Sequence, residues 1–135
     1  MRHYLIASHG TLAQGFYDAL NAIIGSKPEI SIITAYVDNS EIKKLIEKKI
    51  CLIGADDELI IMTDIFGGSV NNLCMEYLNR PNIHLIAGVN LALIISIVIS
   101  HDEDTKSMIE NCIEEAKKNV IYCNDLTEPK GYDDF

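Results

Sequence analysis

The chain lacks the features that mark nucleic-acid-binding, disulfide-rich and membrane-spanning proteins. Its 135 residues include only 11 lysines and arginines against 20 acidic side chains, so a basic surface for nucleic acid is not expected. Its four cysteines show no C-x-x-C spacing, and three of them fall on apolar faces of predicted elements, so free, buried thiols are expected rather than disulfides. The most apolar stretch, Leu91 to Ile99, has nine residues and is too short to cross a bilayer.

The composition predicts one globular domain. Hydrophobic residues make up 48% of the chain, and no low-complexity tract interrupts it. We place this domain at residues 1–123 and expect an acidic, flexible tail at residues 124–135. The N-terminus enters the short apolar run Tyr4–Ala7 at once, so no secretory signal peptide is predicted and we expect a cytoplasmic protein.

Strand-like and helix-like segments alternate along this domain. Short apolar runs predict five strands, at residues 4–8, 30–34, 59–63, 83–87 and 120–123. Apolar residues at helical spacing predict five helices, at about residues 12–23, 42–46, 69–78, 91–99 and 108–116. This alternation predicts a doubly wound α/β fold with a mainly parallel sheet, in the strand order 2-1-3-4, and helices on both faces.

Polar residues and glycines are predicted to begin or end these helices. Thr11 and Gln14 have the spacing of a capping box, in which each side chain bonds the backbone N–H of the other. Gly25, followed by Pro28, predicts the end of the first helix. The other cap candidates are Asp38-Asn39-Ser40, Asn90 and the carboxylates that precede Met108.

Two predicted strands end in a polar residue and glycine directly before a helix. His9-Gly10 follows the first strand, and the string Asp64-Ile-Phe-Gly-Gly-Ser69 follows the third. Ligands of open α/β sheets bind outside the carboxyl ends of the strands, where the strand order reverses. If the first and third strands are neighbours, His9 and Asp64 meet at that edge. Taken singly, these residues have ordinary interpretations as a loop histidine, helix caps and tight-turn glycines, so the hypothesis depends on their convergence.

Such a group suits transient phosphorylation of the histidine. Neutral imidazole offers one lone-pair nitrogen that can attack phosphorus and one N–H that the Asp64 carboxylate can hold. Gly10, Gly67 and Gly68 let the backbone approach phosphoryl oxygens, and Ser69 adds a hydroxyl at a helix start. Because phosphoryl transfer depends mainly on positioning and charge stabilisation, we expect neither a metal ion nor another cofactor.

These motifs resemble a known family. Ser8-His9-Gly10, Asp64–Ser69, Asn72 and Ile86-Ala-Gly-Val-Asn90 are similar to the enzyme IIA domain of the mannose class of the bacterial phosphoenolpyruvate:sugar phosphotransferase system. The resemblance extends over roughly the first 120 residues. It implies that His9 accepts a phosphoryl group from the phosphocarrier HPr and passes it to enzyme IIB, which phosphorylates sugar entering through membrane permease subunits.

The resemblance also implies an assembly and points to two departures. Members of the family are homodimers in which a C-terminal strand crosses to the sheet of the other subunit, and residues 120–123 are the matching segment. Many members have proline where this chain has Val70 and Ala92. We expect these changes to affect the contacts with partners more than the chemistry.

Other functions remain open at this stage. A phosphotransfer subunit of a dihydroxyacetone kinase shares the fold and the histidine chemistry, although the Phe-Gly-Gly-Ser string favours the sugar-transport class. A non-catalytic flavodoxin-like module that binds flavin or nucleotide, or serves a regulator, uses the same sheet edge. Phe66 is either a docking residue for partner proteins or a core residue. His101 with the acidic residues 102–104 suggests a metal site, but helix-starting carboxylates explain these residues better.

Overall fold

The fold is built on four parallel strands, which a computed structural model describes within residues 1–27, 29–36 and 41–126. The strands are β1 (Arg2–His9), β2 (Ile30–Ala35), β3 (Glu58–Thr63) and β4 (Ile83–Ile86). Their order in the sheet is β2-β1-β3-β4, and all neighbours are parallel. The predicted doubly wound topology is therefore confirmed, and β1 and β3 are neighbours at the centre.

Successive side chains of the central strand β1 enter two different hydrophobic layers, as the two-residue period of a strand requires. Tyr4 and Ile6 pack on one face of the sheet, and Leu5 and Ala7 pack on the other. All four are buried. Both faces of the sheet are thus covered, which explains why the central strands are continuously apolar.

Five helices cover the two faces. They are α1 (Leu12–Ile24), α2 (Ile42–Cys51), α3 (Ser69–Met75), α4 (Leu91–Ile99) and α5 (Thr105–Lys118). Buried residues of α1, α4 and α5 form one layer with the sheet, and those of α2 and α3 form the other. Within the residues that the structure describes, no helix combines the length and the apolar character needed to span a membrane.

The helix boundaries confirm some of the predicted caps and correct others. Asn90 caps α4 by accepting a hydrogen bond from the Leu93 N–H, and Gly25 follows the end of α1. The capping box at Thr11 is wrong, because neither side chain caps the helix and the Gln14 amide donates to Asp18 instead. Pro28 and the cap candidates Asp38-Asn39-Ser40 lie outside the described residues.

The end of α3 and the thiols also differ from prediction. The helix ends at Met75 rather than Leu78, because Tyr77 and Leu78 donate to carbonyls three residues back and the chain tightens into turns. Of the four free thiols only Cys74 is fully buried, and burial raises its pKa to about 11. Cys112 is partly buried and Cys51 and Cys123 are exposed, so the burial predicted for three of the four thiols is wrong.

Residues 119–126, the last that the structure describes, form no strand in the single chain. Residues 120–122 are irregular, and Cys123–Asp125 form a 3-10 turn. Val120 and Tyr122 are 76% and 69% exposed, so their apolar surface has no cover within the described chain. The predicted fifth strand is therefore wrong for one isolated copy. Residues 127–135 of the predicted acidic tail lie outside the described residues.

Candidate functional site

The two distant loops singled out in the sequence meet at the carboxyl edge of the sheet. His9 is the last residue of β1, and Asp64 directly follows β3. Because these strands are parallel neighbours, both side chains emerge at one edge. The imidazole Nδ1 of His9 lies 3.0 Å from Oδ2 of Asp64, and the backbone N–H of His9 donates to the same oxygen at 2.9 Å.

The Asp64 carboxylate is a buried anion held by N–H donors. Its side chain is 9% exposed, whereas that of His9 is 40% exposed. The second oxygen, Oδ1, accepts from the backbone N–H of Ile65 at 3.0 Å. Burial raises the pKa of Asp64, but the backbone and ring N–H groups of His9 outweigh this effect and leave the pKa below its ordinary value. The acid therefore stays ionised at neutral pH.

An ionised carboxylate fixes the tautomer of His9. Because a carboxylate only accepts hydrogen bonds, the proton of the neutral ring is assigned to Nδ1, and the lone pair is on Nε2. That nitrogen lies 3.4 Å from Oγ of Ser69. The exposed nitrogen of the ring is thus the nucleophilic one, and a hydroxyl lies beside it.

Glycines shape the backbone around the imidazole. Gly67 and Gly10 have positive φ angles of 78° and 57°, a conformation that other residues adopt at a cost. At Gly68 a Cβ atom would lie 3.2 Å from the carbonyl oxygen of Ile65 and 3.5 Å from Cε1 of His9. The contact with the Ile65 carbonyl is tight and the contact with the ring is an ordinary van der Waals one, so a side chain at residue 68 would displace the turn that lies against His9.

Asparagine side chains hold the turn between β3 and α3 in place. The buried Asn71 accepts a hydrogen bond from the hydroxyl of Thr63, the last residue of β3, at 2.8 Å. The Asn72 amide donates to the Gly67 carbonyl at 3.1 Å. These bonds tie both ends of the turn to the strand and to the helix, so Gly67 and Gly68 are fixed beside His9.

Tyr36 is part of the site although it was missing from the predicted residues. It follows β2, the other neighbour of β1, and its ring centroid lies 5.5 Å from that of His9 with an interplanar angle of 31°. Its hydroxyl donates to Oγ of Ser69 at 2.8 Å. The rule that predicted His9 and Asp64, a polar residue after a parallel strand, also finds Tyr36 once it is applied to β2.

The other residues weighed in the sequence fall in different places. Phe66 is 80% exposed, so its interpretation as a core residue is wrong and its side chain is open to solvent.

Asp104 caps α5 by accepting from the Ser107 N–H, as the cap interpretation predicts. Within the described residues, no three His, Cys, Asp or Glu side chains are arranged to hold a metal ion. His3 and His84 lie at the opposite edge and contact Asp57 and Glu58.

This arrangement defines an α/β protein whose parallel sheet holds an imidazole against a largely buried carboxylate at its carboxyl edge. The chain matches the family model described as "PTS system fructose IIA component", EIIA-man, over residues 3–124. It belongs to this family, the fructose- and mannose-class IIA components of the phosphotransferase system. The family assigns it a role in phosphotransfer, and the resemblance noted in the sequence is confirmed.

Solved structures agree with this assignment. A protein from Klebsiella pneumoniae subsp. pneumoniae MGH 78578, described as a candidate permease of the phosphoenolpyruvate-dependent sugar phosphotransferase system, is 40% identical, with 92% of each chain covered and a TM-score of 0.88. The mannose/sorbose-specific IIA subunit from Enterococcus faecalis is 22% identical, with 96% of this chain and 98% of that chain covered and a TM-score of 0.79. The EIIA component from Streptococcus agalactiae is 19% identical, with 93% and 100% covered and a TM-score of 0.79. The last two comparisons show a shared fold.

Proposed function

We propose that this protein is a phosphocarrier that accepts a phosphoryl group from HPr on His9 and passes it to an enzyme IIB. The observation that supports this most strongly is the orientation of the imidazole. Its Nδ1 is held by the buried Asp64 carboxylate, and its Nε2 faces the exposed side of the site beside Ser69. The proposal makes the protein a cytoplasmic component that serves a membrane sugar permease through enzyme IIB.

The proposed transfer starts with attack by the Nε2 lone pair on the phosphorus of the donor's phosphohistidine. A new N–P bond forms as the donor's N–P bond breaks, and the electron pair of the broken bond returns to the donor imidazole. Positive charge develops on the His9 ring, and the ionised Asp64 at 3.0 Å stabilises it. The Nδ1 proton stays in place, so the same ring can later release the phosphoryl group to enzyme IIB.

The phosphoryl oxygens need donors, and the proposal assigns these to the turn at Gly67–Ser69. Backbone N–H groups at the first turn of a helix have no acceptor within the helix, and glycine lets the chain come close. Because the Gly68 N–H donates to the Ile65 carbonyl at 3.1 Å, the proposal assigns the backbone donation to Gly67 and Ser69. The Ser69 hydroxyl lies on the same side of the ring as Nε2. Gly10 directly follows His9 and supplies the positive φ angle with which the loop after β1 begins.

Docking of both partners is proposed to involve Phe66. HPr and enzyme IIB must reach the same imidazole in turn, so the surface beside His9 has to be accessible and able to form contacts with both partners. Phe66 and its neighbour Ile65 are 80% and 57% exposed, and Ile65 directly follows the Asp64 carboxylate. Exposed aromatic side chains at the rim of a reactive group are typical contact residues of protein interfaces.

A homodimer in which residues 120–123 pair with the other subunit is also part of the proposal. β4 is an edge strand of the sheet, and the apolar side chains of Val120 and Tyr122 are exposed in the single chain. An added strand would satisfy both features, because open sheet edges and exposed apolar segments favour pairing. The double variant Val120→Asp/Tyr122→Asp should sediment as a monomer, whereas the wild type should sediment as a dimer. Equal sedimentation of both proteins as monomers would contradict this part.

The test of the function is phosphorylation by phosphoenolpyruvate, enzyme I and HPr. Acid-labile label should appear on the wild-type protein, disappear in His9→Ala and persist in the matched control His84→Ala, whose imidazole also contacts a carboxylate but at the other edge. Label that persists in His9→Ala would sink the proposal. Transfer to a dihydroxyacetone kinase subunit, but not to an enzyme IIB, would favour the alternative phosphotransfer role.

A further inference from the structure

Tyr36 adopts a backbone conformation that tyrosine seldom takes. Its φ is 65°, and within the described residues it is the one residue other than glycine with a positive φ. The left-handed region costs an L-residue free energy, because Cβ approaches the following carbonyl oxygen. Such a conformation persists only where the surroundings impose it, and it occurs often at functional sites. The contacts of this side chain therefore need an explanation.

Burial does not explain this backbone conformation, since Tyr36 is 58% exposed. The position of Tyr36 beside the end of β1 does explain it. Ala35 pairs in register with His9, and the Gly10 N–H donates to the Ala35 carbonyl at 2.9 Å. The left-handed turn at Tyr36 therefore begins beside the end of β1. The Tyr36 ring packs near the His9 imidazole. Its hydroxyl donates to Ser69, which follows β3 on the other side of β1.

The hydrogen bond from Tyr36 determines where the Ser69 proton can point. A serine hydroxyl has one proton and two lone pairs, and the Tyr36 hydroxyl occupies one lone pair at 2.8 Å. The serine proton is then free to point toward Nε2 of His9, 3.4 Å away. A phosphoryl group on Nε2 would bring acceptor oxygens toward this proton. Donation from Tyr36 also polarises the serine O–H, which strengthens it as a donor.

The aromatic ring makes a second contribution. The Tyr36 and His9 rings are tilted by 31° with centroids 5.5 Å apart, an arrangement within the favourable range for aromatic pairs. Part of the imidazole surface is thereby covered. When the imidazole is phosphorylated it is positively charged, and the negative face of a phenol ring attracts positive charge.

We propose that Tyr36 is a positioning residue for phosphoryl transfer, an inference that rests on the function proposed above. Its hydroxyl orients Ser69 toward the phosphoryl group on Nε2, and its ring protects phosphohistidine from water. Neither Tyr36 nor Ser69 gives up its proton in the transfer. Both donate hydrogen bonds, while the only bonds that change are the two N–P bonds of donor and acceptor.

A double-mutant cycle tests the hydroxyl. Tyr36→Phe keeps the ring and should slow transfer from HPr, measured by rapid quench, by about two- to tenfold, the value of one hydrogen bond. In a Ser69→Ala background the same substitution should cause no further slowing, because the hydroxyl acts through Ser69. Tyr77→Phe, which removes a phenolic hydroxyl outside the site, should accept the phosphoryl group at the wild-type rate. Wild-type transfer by Tyr36→Phe, or equal slowing in both backgrounds, overturns the inference.

A second measurement tests the ring and does not need HPr. Phosphoramidate phosphorylates histidine chemically, and 31P NMR then follows hydrolysis of the signal that is absent in His9→Ala. Tyr36→Leu should lose its phosphoryl group about two- to tenfold faster than Tyr36→Phe, which keeps the aromatic contact. Equal half-lives would refute protection by the ring. If the wild type takes no label from HPr, the proposed function fails, whereas this measurement still decides the role of the Tyr36 ring.

Discussion

The two edges of the sheet both contain histidine–carboxylate pairs, yet we propose a phosphoryl acceptor at only one of them. At the carboxyl edge, Nδ1 of His9 lies 3.0 Å from Asp64. At the amino edge, Nε2 of His84 lies 3.2 Å from Glu58, and Nε2 of His3 lies 3.2 Å from Asp57. Distance alone therefore does not separate a candidate site from a structural ion pair.

The exposed fractions of the two partners do separate them. The His9 side chain is 40% exposed over an acid that is 9% exposed. The order is reversed for His84 and Glu58, at 20% and 36%. At the carboxyl edge the Asp64 carboxylate contacts Nδ1 of the His9 ring. At the amino edge the Glu58 carboxylate contacts Nε2 of the His84 ring instead. A largely buried acid that contacts Nδ1 of a more exposed ring is thus the feature on which we base the proposal that His9 accepts the phosphoryl group.

The largest effect that would sharpen this comparison is expected from Asp64→Asn. The amide can still accept from His9, but it carries no charge, and its NH2 group would face the Ile65 N–H that now donates to Oδ1. Loss of a charge-assisted hydrogen bond should slow phosphorylation by about 10- to 100-fold. Rapid-quench kinetics with HPr measure this rate.

The matched control is Glu58→Gln at the amino edge, which should be phosphorylated at the wild-type rate. If both amide variants react at the wild-type rate, the Asp64 carboxylate plays no part in transfer and the contrast between the two edges loses its functional meaning.

A smaller effect is expected from filling the space beside the ring. In Gly68→Ala the new Cβ would lie 3.2 Å from the Ile65 carbonyl oxygen and 3.5 Å from Cε1 of His9, so the turn must move by a few tenths of an ångström. Gly68 has a φ of -69°, which suits alanine, so the effect reports on the displacement of the turn beside His9 rather than on an unfavourable φ. We expect phosphorylation to slow while the fold is retained, as judged by thermal melts and rapid quench.

Gly15→Ala supplies the control for this substitution. Gly15 is exposed within α1, and a Cβ there meets nothing within 4 Å. Alanine should raise the free energy of unfolding by about 0.5–1 kcal/mol and leave the phosphorylation rate unchanged. Slower phosphorylation of Gly15→Ala would mean that the rate responds to stability in general.

Tyr36→Asn is expected to change stability and transfer in different directions. Asparagine tolerates the left-handed region better than tyrosine, and Tyr36 is 58% exposed, so little burial is lost. Chemical denaturation should show a free energy of unfolding equal to that of the wild type or up to about 1 kcal/mol higher. Phosphoryl transfer should still be slower. A large loss of stability would show that tyrosine is present at residue 36 for packing.

The parts that could be predicted from sequence are those that depend on topology. His9 and Asp64 were predicted together because the carboxyl ends of parallel neighbours share an edge, whatever the details of their loops. Tyr36 was missed because the second strand was predicted to end at residue 34, whereas β2 ends at Ala35, so the first residue after the predicted strand is an alanine. The capping box failed because Gln14 has a competing partner four residues ahead, Asp18. The strand predicted at residues 120–123 is absent from the single chain, in which residues 120–122 are irregular and exposed.

The smallest expected effect is on the pH dependence of stability. It separates the role of the lowered carboxylate pKa at the amino edge from its role at the carboxyl edge. Burial raises the pKa of Glu58, but the hydrogen bonds from Thr105 and His84, with Arg2 nearby, outweigh it and leave the pKa below the ordinary value of 4.5. The unfolded chain then binds the proton more tightly than the folded one. The stabilisation is therefore complete above that ordinary value and is lost as the pH falls through the folded pKa.

Glu58→Gln removes this titration, so its melting temperature should fall less steeply than that of the wild type between about pH 5 and pH 3. Thermal melts across this range measure the two slopes, and parallel slopes would assign the acid sensitivity to other carboxylates. The same substitution should leave phosphorylation at neutral pH unchanged, since Glu58 lies at the opposite edge of the sheet from His9. A lowered carboxylate pKa at the amino edge thus serves stability alone, whereas at the carboxyl edge it keeps Asp64 charged beneath the ring that we propose is phosphorylated.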